Sequence, residues 1–166
     1  MQRILVIGSP GAGKSTLAKQ LAEKTGLPLV HLDKLFWKPG WHQADREMFN
    51  AQLLQQLQQP RWILDGNFNR TIPLRLQYCD TVIYLDFSRL TCLWGVICRV
   101  IRYSGRARPD MGDGCPERFD LEFLRQVWQF PEKHRQDYHS LLQKHPDVWK
   151  IVFKNRREVR TFLNSL

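Results

Sequence analysis

The chain has no apolar run long enough to cross a bilayer. Its longest uninterrupted apolar stretch, Cys92 to Cys98, falls far short of the ~20 residues a spanning helix needs. The opening Met1-Gln2-Arg3 passes directly into Ile4-Leu5-Val6-Ile7, too short an apolar block for a cleaved leader. Cysteine is scarce. The four thiols, Cys79, Cys92, Cys98 and Cys115, form no CxxC pair and no cysteine–histidine group with zinc spacing, which argues against a structural zinc site or a disulfide framework. They read as reduced thiols, and the expected compartment is the cytoplasm. Internal repeats, low-complexity tracts and nucleic-acid reading modules such as a helix-turn-helix or zinc finger are also lacking.

Acidic residues are in deficit, with 16 Asp and Glu against 25 Lys and Arg and a net charge of +9. Such an excess attracts phosphates of any origin: nucleotides, nucleic acid or acidic headgroups. Arg99, Arg102, Arg106 and Arg108 crowd one segment, and Lys144, Lys150, Lys154, Arg156, Arg157 and Arg160 crowd another. Nucleic acid as a partner would rest on these patches alone. A hydrophobic share of 43% over 166 residues excludes a disordered class and predicts one domain, 1–166.

Apolar runs alternate with helical patterns, which predicts an α/β architecture with a mainly parallel sheet. The strand-like runs are Arg3–Gly8, Leu29–Leu32, Arg61–Leu64, Thr81–Leu85 and Trp149–Phe153. Helices are expected over Lys14–Thr25, Ala44–Gln58, about Leu90–Tyr103 and about Leu121–Lys144. The third is apolar on most sides and is expected to be central. In the fourth, Pro131 should kink or split the helix. Between these two lies SGRARPDMGDGCPERFD, residues 104–120, rich in Gly, Pro and charge. A loop of that length inside a domain tends to be functional, and a lid is the expected form.

Gly8-Ser9-Pro10-Gly11-Ala12-Gly13-Lys14-Ser15, with Thr16 behind it, matches the pattern GxxxxGK followed by Ser or Thr in full. Glycine lets successive backbone N–H groups approach phosphate oxygens, and the following helix adds its positive end. A strand-like run precedes the loop and an amphipathic helix follows it, the context this motif requires. A nucleoside triphosphate is therefore the expected ligand, ATP or GTP, with Lys14 on its β- and γ-phosphates and the Ser15 hydroxyl on Mg²⁺. Asp65 and Asp33 follow strand-like runs and should reach the same sheet edge. Either suits magnesium-bound water, and Asp33 also suits an acceptor hydroxyl. Arginines near the lid, Arg99 and Arg102 with Arg106 and Arg108, and Arg118 beyond it, suit the charge of a transferring phosphoryl group.

The stretches GSPGAGKSTLA, HLDKLFWKPGW, ILDGNF, CLW and RPDMGDGCPERFD together resemble bacterial proteins of the DNA topology modulation (FlaR-like) family. These are P-loop proteins similar to adenylate kinases. The resemblance implies the nucleotide kinase fold: a three-layer α/β/α P-loop NTPase with a five-stranded parallel sheet in the order 2-3-1-4-5 and an arginine-rich lid. It further implies that Arg99 meets ATP at the lid hinge. Asn155, within Lys154-Asn155-Arg156, matches in position the loop that touches adenine. The run Ile63 to Pro73 looks like the adenylate kinase DG-x-PRTIP stretch with one extra residue, which makes Arg70 the candidate for an acceptor phosphate. Two AMP contacts of that family are absent, since Phe36 and Leu74 stand in place of its arginine and glutamine. Aromatic Phe36, Trp37 and Trp41 occupy the acceptor region and suit either ring stacking or packing beneath the second helix.

The expected activity is transfer of the γ-phosphoryl group of ATP, with Mg²⁺, to a small acceptor such as a nucleotide or nucleoside. In this reading Asp33, Trp37, Asp65, Arg70 and Arg118 face the acceptor. The alternative is a nucleotide-dependent switch acting on nucleic acid or a protein partner.

Overall fold

In the computed structural model, which describes residues 1–166, the first half places a strand, the phosphate-loop motif and a helix in direct succession. Strand β1 is Arg3–Gly8 and helix α1 is Lys14–Thr25. Then follow β2 (Leu29–His31), the short helix α2 (Leu32–Phe36), a small antiparallel hairpin of β3 (Trp37–Lys38) and β4 (His42–Gln43), and α3 (Arg46–Leu57). The second half comprises β5 (Trp62–Asp65), α4 (Ile72–Leu76), β6 (Thr81–Leu85), α5 (Arg89–Tyr103), α6 (Leu121–Gln143), β7 (Trp149–Phe153) and α7 (Arg156–Asn164). All pairings within the main sheet are parallel, in the order β2-β5-β1-β6-β7. Counting these five strands along the chain, that is 2-3-1-4-5.

The central strands are buried on both faces, so alternate residues serve two cores. Leu5 and Ile7 of β1 join Phe49, Leu53 and Leu57 of α3 and Tyr138 and Leu142 of α6. Ile4 and Val6 join Leu17, Ala18 and Leu21 of α1, Cys92 and Val96 of α5, and Leu163 of α7. Helices on both faces make the three layers.

Two expectations need correction. Helix α5 is not central: only Cys92 and Val96 are buried, whereas Leu90, Trp94, Ile97 and Ile101 are exposed on one line. Its apolar content divides between two faces, and one has no partner in the chain. Helix α6 is not split at Pro131 but runs on through it. The turns after the proline are anchored by Arg135 on Asp86 (2.7 Å) and by the Tyr138 hydroxyl on Asn69, which offsets the hydrogen bond that proline cannot donate. No helix is long and apolar enough to cross a membrane.

The phosphate loop touches α5 backbone to backbone. A Cβ on Gly95 would collide with the Gly11 carbonyl, and one on Gly11 would collide with the Cys92 carbonyl. Replacing Gly95 with valine should therefore push helix and loop apart. The expected loss is about 1–3 kcal/mol, read as a fall in melting temperature of roughly 2–4 °C per kcal/mol.

Candidate functional site

Parallel strands direct their carboxyl ends to one edge, and here β1, β2 and β5 deliver the loop, Asp33 and Asp65 together. At the start of α1, Gly13 adopts φ 96°, and no side chain caps the first turn. The first amides of a twelve-residue helix are thus left for a ligand, with the positive end of its dipole. The Lys14 ammonium folds back over the loop and donates to the carbonyls of Gly8 (3.0 Å) and Ser9 (3.1 Å). Burial lowers its pKa, opposed by the Asp65 and Asp33 carboxylates.

Asp65 ends β5 in register with His31, and the His31 Nδ1 lies 2.8 Å from Asp65 Oδ2. The other carboxylate oxygen, Oδ1, is buried without a partner. Such an atom is costly unless a ligand or water satisfies it. Asp33 lies in the first turn of α2, because the strand ends at His31, one residue earlier than the expected run Leu29–Leu32. Neither carboxylate caps a helix. Burial, reinforced by the neighbouring Asp65, pushes the Asp33 carboxyl up to about 6, against the opposing pull of Arg108 and Lys14.

These groups line one cavity of about 1290 Å³. Of the residues singled out from the sequence, Pro10, Gly11, Ala12, Gly13, Lys14, Ser15 and Thr16 line it, as do Asp33, Trp37, Asp65, Arg99, Arg102 and Arg118. Trp41 and Arg108 line it as well. Segment 104–120 forms one wall. It is tied to the β3–β4 hairpin by the Gly40 N–H on the Gly114 carbonyl (2.9 Å), the Trp41 Nε1 on the Pro116 carbonyl (3.2 Å) and the Cys115 thiol on the Lys38 carbonyl (3.2 Å). Trp41 (φ 64°) and Phe68 (φ 38°) are the two residues other than glycine in left-handed backbone, and both line the cavity. Strain of that kind, about 1–3 kcal/mol each, concentrates at functional sites.

Other expected residues are not brought in. Gly8 and Ser9 sit beneath the loop: the Gly8 N–H donates to Asn67 Oδ1 (3.1 Å), and Ser9 is buried. Arg70 is turned outward towards Asn50 (3.5 Å) because the turn Asn69–Thr71 follows left-handed Phe68. The arginine carried inward is Arg75, wholly buried, which donates to the carbonyls of Gly66 (2.8 Å), Asn67 and Phe68 (3.3 Å). Asn155 is spent on capping α7, accepting from the N–H groups of Arg157 and Glu158 (3.0 Å each). It borders a separate surface hollow, while Arg156, Val159 and Arg160 line the main cavity. Their spacing on a basic amphipathic helix was the available signal.

The residue that sequence reasoning missed is Glu117. Its buried carboxylate meets Arg99 (3.0 Å) and Arg108 (2.8 Å), and Arg108 also meets Asp110 (2.9 Å). The Arg108 Nε contact is close but lacks hydrogen-bond alignment. Burial lowers the Arg99 pKa, with Arg108 adding to the effect and Glu117 opposing it. Arg102 and Arg118 line the cavity without a carboxylate partner, and Arg118 lies over the Trp41 ring at 5.9 Å.

Residues 4–60 match the family model for ATPases associated with various cellular activities (AAA). The chain is 34% identical over 80 residues to an adenylate kinase of Clavibacter michiganensis, a match covering 48% of this chain and 38% of that protein. A shorter segment of 36 residues is 50% identical to the adenylate kinase of Mycobacterium ulcerans, covering 22% of this chain and 20% of that one. The matched segments thus span well under half the length of these relatives. Among solved structures, shikimate kinase from Bacteroides thetaiotaomicron superposes with a TM-score of 0.59 at 19% identity, over 99% of this chain and 95% of that one. The chain thus has the α/β fold of shikimate kinase, with stretches of sequence similar to adenylate kinases and to the AAA family model.

Proposed function

We propose that the protein is a phosphotransferase that moves the γ-phosphoryl group of ATP to a hydroxyl of a small acceptor, a kinase of the group that its topology-modulation-like stretches resemble. The observation that supports this best is the convergence of the loop, Lys14, Asp33 and the orphaned Asp65 oxygen on one cavity. A protein that only bound nucleotide would have less use for a second carboxylate, the partly buried Asp33, beside the first.

The amides at Gly11 to Ser15 and the Lys14 ammonium hold the β- and γ-phosphates, and on arrival they draw Lys14 away from the Gly8 and Ser9 carbonyls. The Ser15 hydroxyl and Asp65, steadied by His31, fit Mg²⁺, which commonly takes one or two protein oxygens and completes its shell with phosphates and water. The metal would neutralise charge between the β- and γ-phosphates. Arg156 and Arg160 border the end where a nucleotide base would lie. Segment 104–120 acts as the lid, and its Glu117 holds its own Arg108 and Arg99 of α5 at the cavity until a phosphate competes for them. Arg102 is free for the transferring group.

Asp33 faces the acceptor beside Trp37 and Trp41. With its carboxyl raised towards neutrality it is suited to take a hydroxyl proton. Because Arg70 points away, Arg75 is committed to backbone carbonyls and Arg108 is paired with Asp110 and Glu117, Arg118 is the cation on the acceptor side without a carboxylate partner. This favours a hydroxylated ring, such as a nucleoside, over a nucleoside monophosphate. Cytoplasmic ATP and Mg²⁺ would supply the reaction.

ADP release from ATP and Mg²⁺ should be stimulated by one member of a panel of nucleosides, nucleoside monophosphates and hydroxylated metabolites. Lys14→Ala should lose that stimulation by at least about a hundredfold, ~3 kcal/mol of transition-state stabilisation. Tight ATP binding that no acceptor stimulates would replace the kinase by a nucleotide-dependent switch.

Asp33→Asn should separate stability from activity. A carboxyl whose folded pKa lies near 6, above its ordinary 3.8, adds stability that is complete below about pH 4 and lost as pH rises through 6. Melting curves should therefore show the variant more stable than the parent at pH 7, by about 1–3 kcal/mol, and equal to it near pH 4. Its turnover should fall, and the parent's rate should rise with pH through a limb near 6 that the variant lacks.

Glu117→Gln keeps the side-chain shape but releases both arginines. Turnover should drop about tenfold, ~1.4 kcal/mol, and amide exchange across residues 104–120 should quicken, which hydrogen-exchange mass spectrometry would record.

A further inference from the structure

Helix α5 presents two unlike faces. Arg99 and Arg102 face the cavity, and Cys92 and Val96 face the core. On the outer side stand Leu90, Trp94, Ile97 and Ile101, exposed by 68%, 61%, 37% and 73%. At 3.6 residues per turn this stripe is centred roughly 170° round the helix from Arg99. Trp128 of α6, 43% exposed, adjoins its beginning through Arg89, whose guanidinium lies 4.8 Å over the indole.

We propose that this stripe is a dimer interface, in which two copies of the chain pack α5 against α5 in antiparallel fashion about a twofold axis. The first ground is spacing. Steps of four, three and four residues form a coiled-coil seam, and that order reads the same in either direction. An antiparallel pair therefore sets Leu90 of one copy against Ile101 of the other, and Trp94 against Ile97, as a twofold contact requires. The second ground is area. By their exposures, the five side chains offer roughly 500–600 Å² of apolar surface, at the top of the ~300–600 Å² usual for a monomer's largest patch. A standard interface covers ~800 Å² per partner, about 65% of it apolar in homodimers, so the stripe supplies the apolar share of one.

The third ground is charge. Two copies of a chain carrying +9 repel each other, and contact is cheapest where no cation intervenes. The positions flanking the seam, Thr91, Leu93, Cys98 and Val100, are uncharged. Arg89, at the end of the stripe, is paired with Glu132 at 2.8 Å. Because the seam side chains face away from Arg99 and Arg102 and none of them lines the cavity, dimerisation leaves the nucleotide and acceptor sites open and braces the helix that carries both arginines. The proposal does not depend on the phosphotransfer reading.

Sedimentation equilibrium of the full chain over about 1–100 µM, the range in which a standard-size interface commonly associates, should give twice the 19.7 kDa protomer mass. Trp94→Glu and Ile101→Lys should each weaken association at least about a hundredfold while leaving the circular dichroism unchanged. Ile101, being the more exposed, provides the test should the tryptophan variant fold poorly. Cys98, the exposed cysteine beside the seam's midpoint, should join two copies through a short bismaleimide, and this product should vanish in Cys98→Ser and in Ile101→Lys. A wild-type protein that stays monomeric throughout the range, or a dimer that both charge variants leave intact, would overturn the proposal.

Discussion

The contact between Gly11 and Gly95 governs much of this molecule. Two backbones meet where neither residue has room for a Cβ, so the phosphate loop rests directly on the helix that leads to segment 104–120. From that single contact the placing of Arg99 and Arg102 follows, because both project from α5 within two turns of Gly95. The outward direction of Trp94 and Ile97 follows as well, since they occupy the opposite side of the same turns. Loop geometry, arginine placement and outer surface are thus three consequences of one close approach.

Electrostatics complete the site at a cost. Lys14, Asp33, Asp65, Arg99, Arg108 and Glu117 gather in one region, and burial works against the charges of Lys14, Asp33 and Arg99. Their mutual pairing offsets part of that penalty, most visibly where Glu117 serves two arginines. What remains without an ion-pair or hydrogen-bond partner is informative: one oxygen of Asp65, beside the raised carboxyl of Asp33. Together with left-handed Trp41 and Phe68, they mark the region in which the fold gives up stability, as preorganised sites do.

The shared edge of the sheet explains why so few elements suffice. Strand β1 contributes the loop, β5 contributes Asp65, and β2 leads into Asp33. Parallel register brings Val6, Asp65 and His31 level with one another. The hairpin at residues 37–43 and segment 104–120 then close the open side through backbone hydrogen bonds at Gly40 and Gly114 and the indole of Trp41.

Local pattern alone determined a good deal of this protein. The strands Arg3–Gly8, Thr81–Leu85 and Trp149–Phe153 and the helix Lys14–Thr25 have the bounds their apolar periods indicate. The phosphate loop is a contiguous motif whose glycines specify its conformation. Asp33 and Asp65 were legible because they follow strands. Distant contacts decided the rest. Whether Arg70 or Arg75 turns inward depended on the left-handed backbone at Phe68 and on carbonyls awaiting a donor. Asn155 was diverted to a helix cap, leaving that end of the cavity to Arg156 and Arg160. Glu117 gained its place only when a loop without periodicity folded back across α5. Helix α5 looked central because hydrophobicity records that a surface is to be covered, while only packing decides what covers it.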